Sequence, residues 1–388
     1  MHVGKNNDIN ILETGPNSDS LIAETAIKES VANPQLKTSL SKKDKLLPFF
    51  IVCAMGFGIL IDKVFHSFSG DLNKIQIDGT SMPIALGLLV MMYPVLAKVK
   101  FNEIGKIATN KKLLSNSLFL NWILGPLVMF TLAWLFLPNL PTYRSGLILV
   151  GLARCIAMVL IWNDLACGNR TAAALLVAIN SLFQIVAFAG LGYLYLHLLP
   201  GWLGLATTSI HVSMASIAQN VAIFLGIPLL LGFLSRFTGE RYKGTTWYED
   251  TFLPKVGPFA LYGLLFTIVV LFAFQGNAIT EHPDIVGKIA LPLLCYFAIM
   301  WGLGFIIGRL YNLSYEDTVT LSFTAAGNNF ELAIAVAIST FGVASGQALA
   351  GAVGPLIEVP VLVSLVYVAL YMKPRYIRRL QSTNHSNT

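Results

Sequence analysis

The chain has 388 residues, of which 55% are hydrophobic and 12% are charged, with a net charge of +6. A soluble domain carries roughly 25% charged residues, so soluble domains are excluded and one polytopic membrane domain is predicted. The basic residues lie beside apolar segments and not in one patch, which argues against nucleic-acid binding. The cysteines are far apart, which argues against a disulfide framework and a structural zinc site; they are Cys53, Cys155, Cys167 and Cys295.

A polar segment comes first in the chain, followed by recurring apolar runs. Residues 1–45 contain no apolar stretch, so we expect a disordered cytoplasmic tail without a cleavable signal. Residues 46–376 are predicted to form the membrane domain, and residues 377–388 a short cytoplasmic C-terminal tail. Ten apolar runs come near the roughly 20 residues that a membrane-spanning helix needs: 46–65, 81–99, 113–137, 145–168, 171–198, 212–235, 253–274, 286–310, 315–341 and 347–372.

The distribution of basic residues predicts the orientation of these spans. Basic residues are dense at the end of the tail, in the loops after spans two and six, and at the C-terminus. The opposite loops carry few, namely Lys63, Lys74, Arg144 and Lys288. Cytoplasmic loops are enriched in Lys and Arg, so both termini are predicted to be cytoplasmic, in agreement with an even number of spans.

Spans four and nine both carry polar residues where the middle of a bilayer is expected. Their sequences are "GLARCIAMVLIWNDLACGN" and "FTAAGNNFELAIAVAISTFG", and superposing them aligns Cys155 with Asn329 and Gly168 with Gly342. The ten spans would form two halves of five, and because five is odd the halves would have opposite orientations. Inverted repeats with interrupted helices are typical of transporters that bind solute at the midplane.

Glu331 is the first candidate functional residue. Acidic residues within membrane spans are rare and usually functional, and a buried carboxyl can bind and release a proton. Its neighbours Asn328 and Asn329 offer hydrogen-bond donors and acceptors, and with Gly327 they favour a locally unwound helix that lines a cavity. The alternative is a neutral, hydrogen-bonded carboxyl in a packed interior. Glu358, between two prolines in span ten, is a second candidate proton carrier.

Cys155 is the second candidate, although a buried cysteine is more often a small apolar side chain. Arg154 precedes it and is a cation within the span, and a nearby cation can favour the thiolate that bonds soft metals and metalloids. Asn163 and Asp164 follow about two turns later, where a supporting role and a simple helix end are equally good interpretations. No nucleotide-binding loop or Ser/His catalytic pair is evident, so an ion gradient would drive transport and an enzyme is not expected.

Three segments resemble the arsenite efflux permeases of the arsenical-resistance type, in the bile acid/arsenite/riboflavin transporter superfamily. They are "GLARCIAMVLIWNDLACGN", "AAGNNFELAIAVAI" and "QALAGAVGPLIEVPVLV", and the similarity covers about residues 46 to 376. The resemblance implies an all-α fold of ten transmembrane helices in two inverted five-helix repeats, with helices four and nine broken and crossing. It also implies export of trivalent arsenic in exchange for protons, with the essential thiol at Cys155 and the essential carboxyl at Glu331.

Two other functions remain open at this point. A sodium-coupled transporter of an organic anion would use oxygens of spans four and nine, and Cys155 would then be replaceable. A receptor or scaffold without transport activity would leave the paired polar breaks without a purpose. For the exporter, we expect arsenite as substrate with antimonite as a second candidate, and protons and the lipid bilayer as partners. We expect no cofactor and no resident metal. The predicted location is the cell membrane, with a vacuolar membrane as the alternative.

Overall fold

The computed structural model describes residues 42–64, 76–77, 80–99, 110–156, 158–205, 214–281 and 283–385. Most of the predicted polar tail, residues 1–41, lies outside the described residues, as do residues 386–388 of the predicted C-terminal tail. Within the described part the protein is helical apart from one pair of two-residue antiparallel strands, β1 (Gln76–Ile77) and β2 (Thr80–Ser81). The predicted all-helical class is confirmed, with this small hairpin as the one addition among the described residues.

The helices follow the apolar runs of the sequence. In the first half they are α1 (Lys42–Val64), α2 (Met82–Ala97), α3 (Lys111–Phe119), α4 (Gly125–Phe136), α5 (Pro141–Leu152), α6 (Met158–Leu165), α7 (Arg170–Tyr193) and α8 (Leu199–Trp202). In the second half they are α9 (Met214–Val221), α10 (Ile227–Lys243), α11 (Thr245–Trp247), α12 (Leu253–Glu281), α13 (Pro283–Leu310), α14 (Tyr315–Ala326), α15 (Phe330–Phe341) and α16 (Gly346–His385).

The protein is an integral membrane protein. Large apolar side chains such as Leu86, Leu135 and Val186 are exposed on the helices, as expected for surfaces that face lipid. Six continuous helical stretches among the described residues are long and apolar enough to cross a bilayer: Lys111–Phe136, Arg170–Trp202, Ile217–Lys243, Thr245–Phe274, Pro283–Leu310 and Gly346–Arg378. The ten spans and the inverted repeat stay predictions.

Short π-helical segments join several of these helices, and proline explains them. The segments are Leu120–Leu124, Leu194–Leu198, Ala222–Gly226 and Tyr248–Phe252. Each ends two residues before a proline, namely Pro126, Pro200, Pro228 and Pro254. Proline lacks an N–H group and its ring clashes with the carbonyl four residues earlier. A wider turn relieves that clash while the helix continues, as π-bulges do inside longer helices.

Two of the predicted spans are interrupted. Helix α5 ends at Leu152 and α6 begins at Met158, while α14 ends at Ala326 and α15 begins at Phe330. The breaks lie within predicted spans four and nine. Helix α16 packs against both α5 and α15, α13 packs against α14, and α2 contacts α15. The core is therefore built around the two interrupted segments.

Helix α2 is anchored at its C-terminal end by residues far along the chain. Arg236 is buried and donates to the carbonyl oxygens of Ala97 at 3.4 Å and Lys98 at 3.2 Å. The Tyr248 hydroxyl donates to the same Ala97 carbonyl at 3.1 Å. The last carbonyls of a helix lack intrahelical partners, so these donors satisfy them. The anchoring holds α2 beside the interrupted segments.

Candidate functional site

The two interrupted segments meet and complete each other's backbone hydrogen bonds. Arg154 and Asn328 form an isolated antiparallel bridge. The Asn329 N–H donates to the Ala153 carbonyl at 3.0 Å, and the Cys155 N–H donates to the Gly327 carbonyl at 3.3 Å. Unpaired backbone groups inside a membrane cost several kcal/mol each on typical scales. Each break is therefore tolerated because the other break supplies its partners.

Gly327 permits this close approach. A Cβ atom built at this position would lie 2.9 Å from the Cβ of Cys155 and 3.3 Å from the carbonyl oxygen of Phe323. The first distance is shorter than the contacts that real Cβ atoms make. Any other residue at position 327 would push the two segments apart, so the glycine sets the position of the Cys155 side chain.

The Arg154 guanidinium is fully buried and bonded to neutral groups. It donates to the Tyr296 hydroxyl at 2.9 Å, to the Ala325 carbonyl at 3.5 Å and to the Gly151 carbonyl. The two carbonyls lie in the last turns of α14 and α5, where helix dipoles concentrate negative potential. A cation at these ends is stabilised by both helices. The backbone N–H of Arg154 also donates to the side chain of Gln184 on α7.

A small cavity lies at the crossing of the two breaks. Its wall combines polar, acidic and sulfur-bearing side chains from α2, from the two breaks and from the helices that follow them. The lining residues are Met91, Met92, Cys155, Ile156, Met158, Asn328, Asn329 and Glu331. The structure thus brings together Cys155, Asn328, Asn329 and Glu331, which sequence reasoning selected from segments far apart in the chain.

The amide groups of Asn328 and Asn329 are only half satisfied. The Asn328 Oδ1 accepts from the Tyr296 hydroxyl at 3.4 Å, and the Asn329 Oδ1 accepts from the Leu332 N–H at 3.0 Å. Their Nδ2 groups have no hydrogen-bond partner within the part of the chain that the structure describes, although both residues are 1% exposed. Buried polar groups are nearly always paired. The two amide groups that line the cavity therefore each keep an unused hydrogen-bond donor.

The thiol and the carboxyls complete this environment. The Cys155 Sγ accepts a hydrogen bond from the Val159 N–H at 3.3 Å, which anchors the side chain at the start of α6. Glu331 lies in the first turn of α15 and lines the cavity. Glu358 on α16 is 2% exposed and adjoins the backbone N–H of Asn328. The arrangement offers a soft ligand, two amide donors and two acids within one neighbourhood.

Comparison with known proteins assigns the family. The model of the Sodium Bile acid symporter family matches residues 85–282. The chain belongs to this family. The matched residues include the first break and end before the second. Relatives extend the similarity over most of the chain. The Arsenical-resistance protein Acr3 of Corynebacterium glutamicum is 54% identical over 336 residues, which cover 87% of this chain and 91% of that protein.

Two further relatives are more distant. An uncharacterized transporter of Synechocystis sp. is 34% identical over 85% of this chain and 89% of its own length. The Arsenical-resistance protein Acr3 of Alkaliphilus metalliredigens is 29% identical over 84% of this chain and 92% of its own length. These matches confirm the predicted resemblance to the arsenical-resistance branch of the bile acid/arsenite/riboflavin transporter superfamily. The family and these relatives are described as transporters or resistance proteins, which fits the prediction that the chain is not an enzyme.

In this family member, Asn163 and Asp164 lie apart from the cavity residues. The Asn163 Oδ1 accepts from the Thr320 hydroxyl at 2.7 Å, which ties α6 to α14. Asp164 forms an ion pair with Arg170 at 2.6 Å, with side chains 21% and 53% exposed, respectively. Both contacts join helices near the end of α6. The geometry therefore gives these two residues a structural interpretation, and a role in transport stays a prediction.

Several residues around the cavity were absent from the sequence-based selection. Met91 and Met92 come from α2 and Met158 from the start of α6, while Tyr296 and Gln184 bind Arg154 and its backbone. The motif "VMMYP" in span two contains two adjacent methionines but no spacing that points to spans four and nine. Only the packing of α2 beside the crossing brings Met91 and Met92 to the site.

Proposed function

We propose that the chain exports trivalent arsenic from the cytoplasm as arsenite, As(OH)3, in exchange for protons, and so confers arsenic resistance. The observation that carries the proposal is that the Cys155 thiol, the Asn328 and Asn329 amides and the Glu331 carboxyl line the same cavity. The similarity to arsenical-resistance proteins over most of the chain supports it. Antimonite, which has the same geometry and softness, is a second candidate substrate.

The side chains that line the cavity suit a small neutral solute. Arsenous acid is uncharged near pH 7, so it needs hydrogen-bond partners and a soft ligand, and no counter-charge. The unpaired Nδ2 groups of Asn328 and Asn329 would donate to its hydroxyl oxygens. Sulfur of Cys155 would approach the arsenic atom, because soft sulfur ligands favour soft acceptors. One thiol holds the solute transiently, whereas several would trap it.

The acids supply the coupling to protons. Glu331 lines the proposed solute cavity, and Glu358 adjoins the backbone N–H of Asn328. A proton on Glu331 removes an acceptor for a solute hydroxyl, so proton and solute would compete for the same state. Competition between two ligands for one site gives exchange by thermodynamic linkage. Protonation from outside would release arsenite, and deprotonation toward the cytoplasm would ready the cavity again.

The proposed transporter domain covers residues 46–376, with ten spans in two inverted five-helix repeats and both termini in the cytoplasm. The corresponding breaks after α5 and α14 support this arrangement, because each half would contribute one interrupted helix to the crossing. The cell membrane is the proposed location, with a vacuolar membrane as the alternative.

Transport into everted membrane vesicles tests the function. Vesicles with an acidic interior would be suspended in sodium-free buffer, and arsenite would be added to the external medium. Arsenite uptake would be measured for wild type, Cys155→Ala and Glu331→Gln. Cys295→Ala is the matched control, because Cys295 is half-buried on α13 and does not line the cavity. We expect gradient-dependent uptake by wild type and the control, and loss of uptake in the two cavity variants. Wild-type vesicles without uptake, despite correct insertion, would contradict the proposal.

A sodium-coupled transporter of an organic anion is the second candidate. The description of the matching family, which names sodium and bile acid, favours it. It predicts that uptake requires sodium and that Cys155→Ala transports as well as wild type. The same vesicles, supplied with sodium and an organic anion such as taurocholate, distinguish the two functions.

A further inference from the structure

The wall of the cavity is unusually rich in sulfur. Cys155 contributes a thiol, and Met91, Met92 and Met158 contribute thioethers. All four side chains are buried, with exposures between 2% and 7%. Consecutive residues on a helix point about 100° apart, so Met91 and Met92 can both line the cavity only if it curves around this side of α2.

Packing alone does not explain this set of residues. Methionine fills irregular core gaps, and three other buried methionines of this chain, Met55, Met129 and Met300, lie in the core away from the cavity. Met91, Met92 and Met158, in contrast, line the same cavity as the Cys155 thiol. A thioether donates no hydrogen bond and is a weak acceptor, so it gives little to a hard, hydrated solute. A thioether sulfur does, however, coordinate soft metal ions.

The charges around the cavity favour a cation over an anion. Glu331 is part of the wall, and Glu358 adjoins Asn328. Arg154, the one cation at the crossing among the residues that the structure describes, is turned toward the Tyr296 hydroxyl and the ends of α5 and α14. Thiolate and thioether ligands select monovalent soft ions such as Cu(I). A thiol and three thioethers are soft ligands of the kind that such an ion prefers.

We propose that Met91, Met92 and Met158 form, together with Cys155, a binding site for a monovalent soft cation of the Cu(I) and Ag(I) class. On binding, the S–H bond of Cys155 breaks, its proton leaves to solvent and a sulfur–metal bond forms, while the thioethers coordinate through lone pairs without proton exchange. This site goes beyond the proposed export of arsenite. It stands or fails independently, because it is measured as binding, without arsenite and without flux.

Silver binding to the purified full-length chain tests the proposal. Ag(I) is the probe because it needs no reductant to stay monovalent. The other cysteines are changed in a background variant, Cys53→Ser with Cys167→Ser and Cys295→Ser, so that one thiol remains. Silver, buffered by a competing weak ligand in chloride-free detergent solution, is titrated and bound metal is counted per chain. The test variant adds Met91→Leu, Met92→Leu and Met158→Leu to this background. The control instead adds Met55→Leu, Met129→Leu and Met300→Leu.

The background and the control are expected to bind one Ag(I) per chain with equal affinity. The test variant is expected to bind about tenfold more weakly or worse, which is about 1.4 kcal/mol. Leucine conserves methionine's volume, so both triple variants should fold. Equal affinity of the test variant and the background would overturn the proposal, and so would an equal loss in the control.

A second measurement keeps the proposal open to failure if the test variant does not fold. Silver K-edge absorption of the loaded background variant counts the sulfur neighbours of the ion directly. Two or more sulfur neighbours support the thioether ligands, because only one thiol remains in that chain. A single sulfur neighbour overturns them.

Discussion

The two breaks at the crossing share a backbone design and differ in their side chains. In both, a helix ends at an extended residue, Ala153 or Gly327, and a second helix begins a few residues later. Each break gives one N–H and one carbonyl to the other. The first break, however, carries Arg154 and Cys155, whereas the second carries Asn328 and Asn329 and is followed by Glu331 in the first turn of α15. The backbone requirement is thus met symmetrically, which leaves the side chains free to differ.

The difference separates structural from chemical roles. Arg154 directs its charge to Tyr296 and to the carbonyls of Gly151 and Ala325, so it holds the ends of α5 and α14. The side chains that face the cavity retain unused capacity, such as the Nδ2 groups of Asn328 and Asn329. The Arg154 side chain thus bonds groups that hold the crossing together, whereas the two asparagine amides keep donors that line the cavity unused. The predictions below test that separation.

Replacing the arginine should have the largest effect. Arg154→Met leaves two helix-end carbonyls and a hydroxyl without their donor, and each buried unsatisfied group costs about 1–3 kcal/mol. We expect a loss of about 3 kcal/mol or more in the free energy of unfolding, measured by denaturant titration in detergent. Arg170→Met, which removes a half-exposed arginine, should cost less than about 1 kcal/mol. A stable Arg154→Met protein would show that the arginine does not hold the crossing.

Widening the crossing should come next. Gly327→Ala brings a methyl group to 2.9 Å from the Cβ of Cys155, so the thiol must move away from the amides. We expect arsenite transport to fall about tenfold or more, equivalent to about 1.4 kcal/mol of transition-state stabilisation, in the everted vesicles. Gly302→Ala on α13 is the matched control, since a Cβ there meets nothing within 4 Å. Equal transport by both variants would be evidence against a positional role for Gly327.

Removing the hydroxyl of Tyr296 should have a moderate effect. This hydroxyl accepts from Arg154 and donates to the Asn328 side chain, so it links the structural part of the crossing to the cavity. Tyr296→Phe should weaken the apparent affinity for arsenite about fivefold, or about 1 kcal/mol for one lost hydrogen bond. The readout is KM against maximal rate in the vesicles, with exposed Tyr262→Phe as the control. A fall in maximal rate alone would assign Tyr296 to another step.

Changing the ion pair beyond α6 should have the smallest effect. Asp164 and Arg170 are partly exposed, and such pairs contribute about 0–1 kcal/mol. Asp164→Asn should therefore leave arsenite uptake within about twofold of wild type. If Asp164→Asn abolished arsenite uptake as completely as Glu331→Gln is expected to, Asp164 would have a role in transport.

The breaks after α5 and α14 and several of their polar residues could be predicted from local sequence. The side chains that other helices bring to the crossing could not. Gly327, Asn328 and Asn329 interrupt an apolar run and so predict the break in their own segment. The likeness of the two segments pairs Cys155 with Asn329, and the resemblance to the arsenite permeases adds Glu331. The thioethers of Met91 and Met92, in contrast, reach the cavity only through the packing of α2, and the partners of Arg154 lie on α5, α13 and α14. Polar residues stand out in an apolar run because burying them is costly, so they can be recognised in the sequence. Apolar residues give no sign in the sequence of the neighbours that they contact.

Alkylation of Cys155 tests the central claim most directly. In the full-length variant whose other cysteines are serine, the rate of reaction with iodoacetamide is measured with and without arsenite. If the cavity is the arsenite site, arsenite should slow alkylation, and sodium with taurocholate should not. A rate that arsenite leaves unchanged, while sodium and taurocholate lower it, would contradict the account and favour the sodium-coupled transporter.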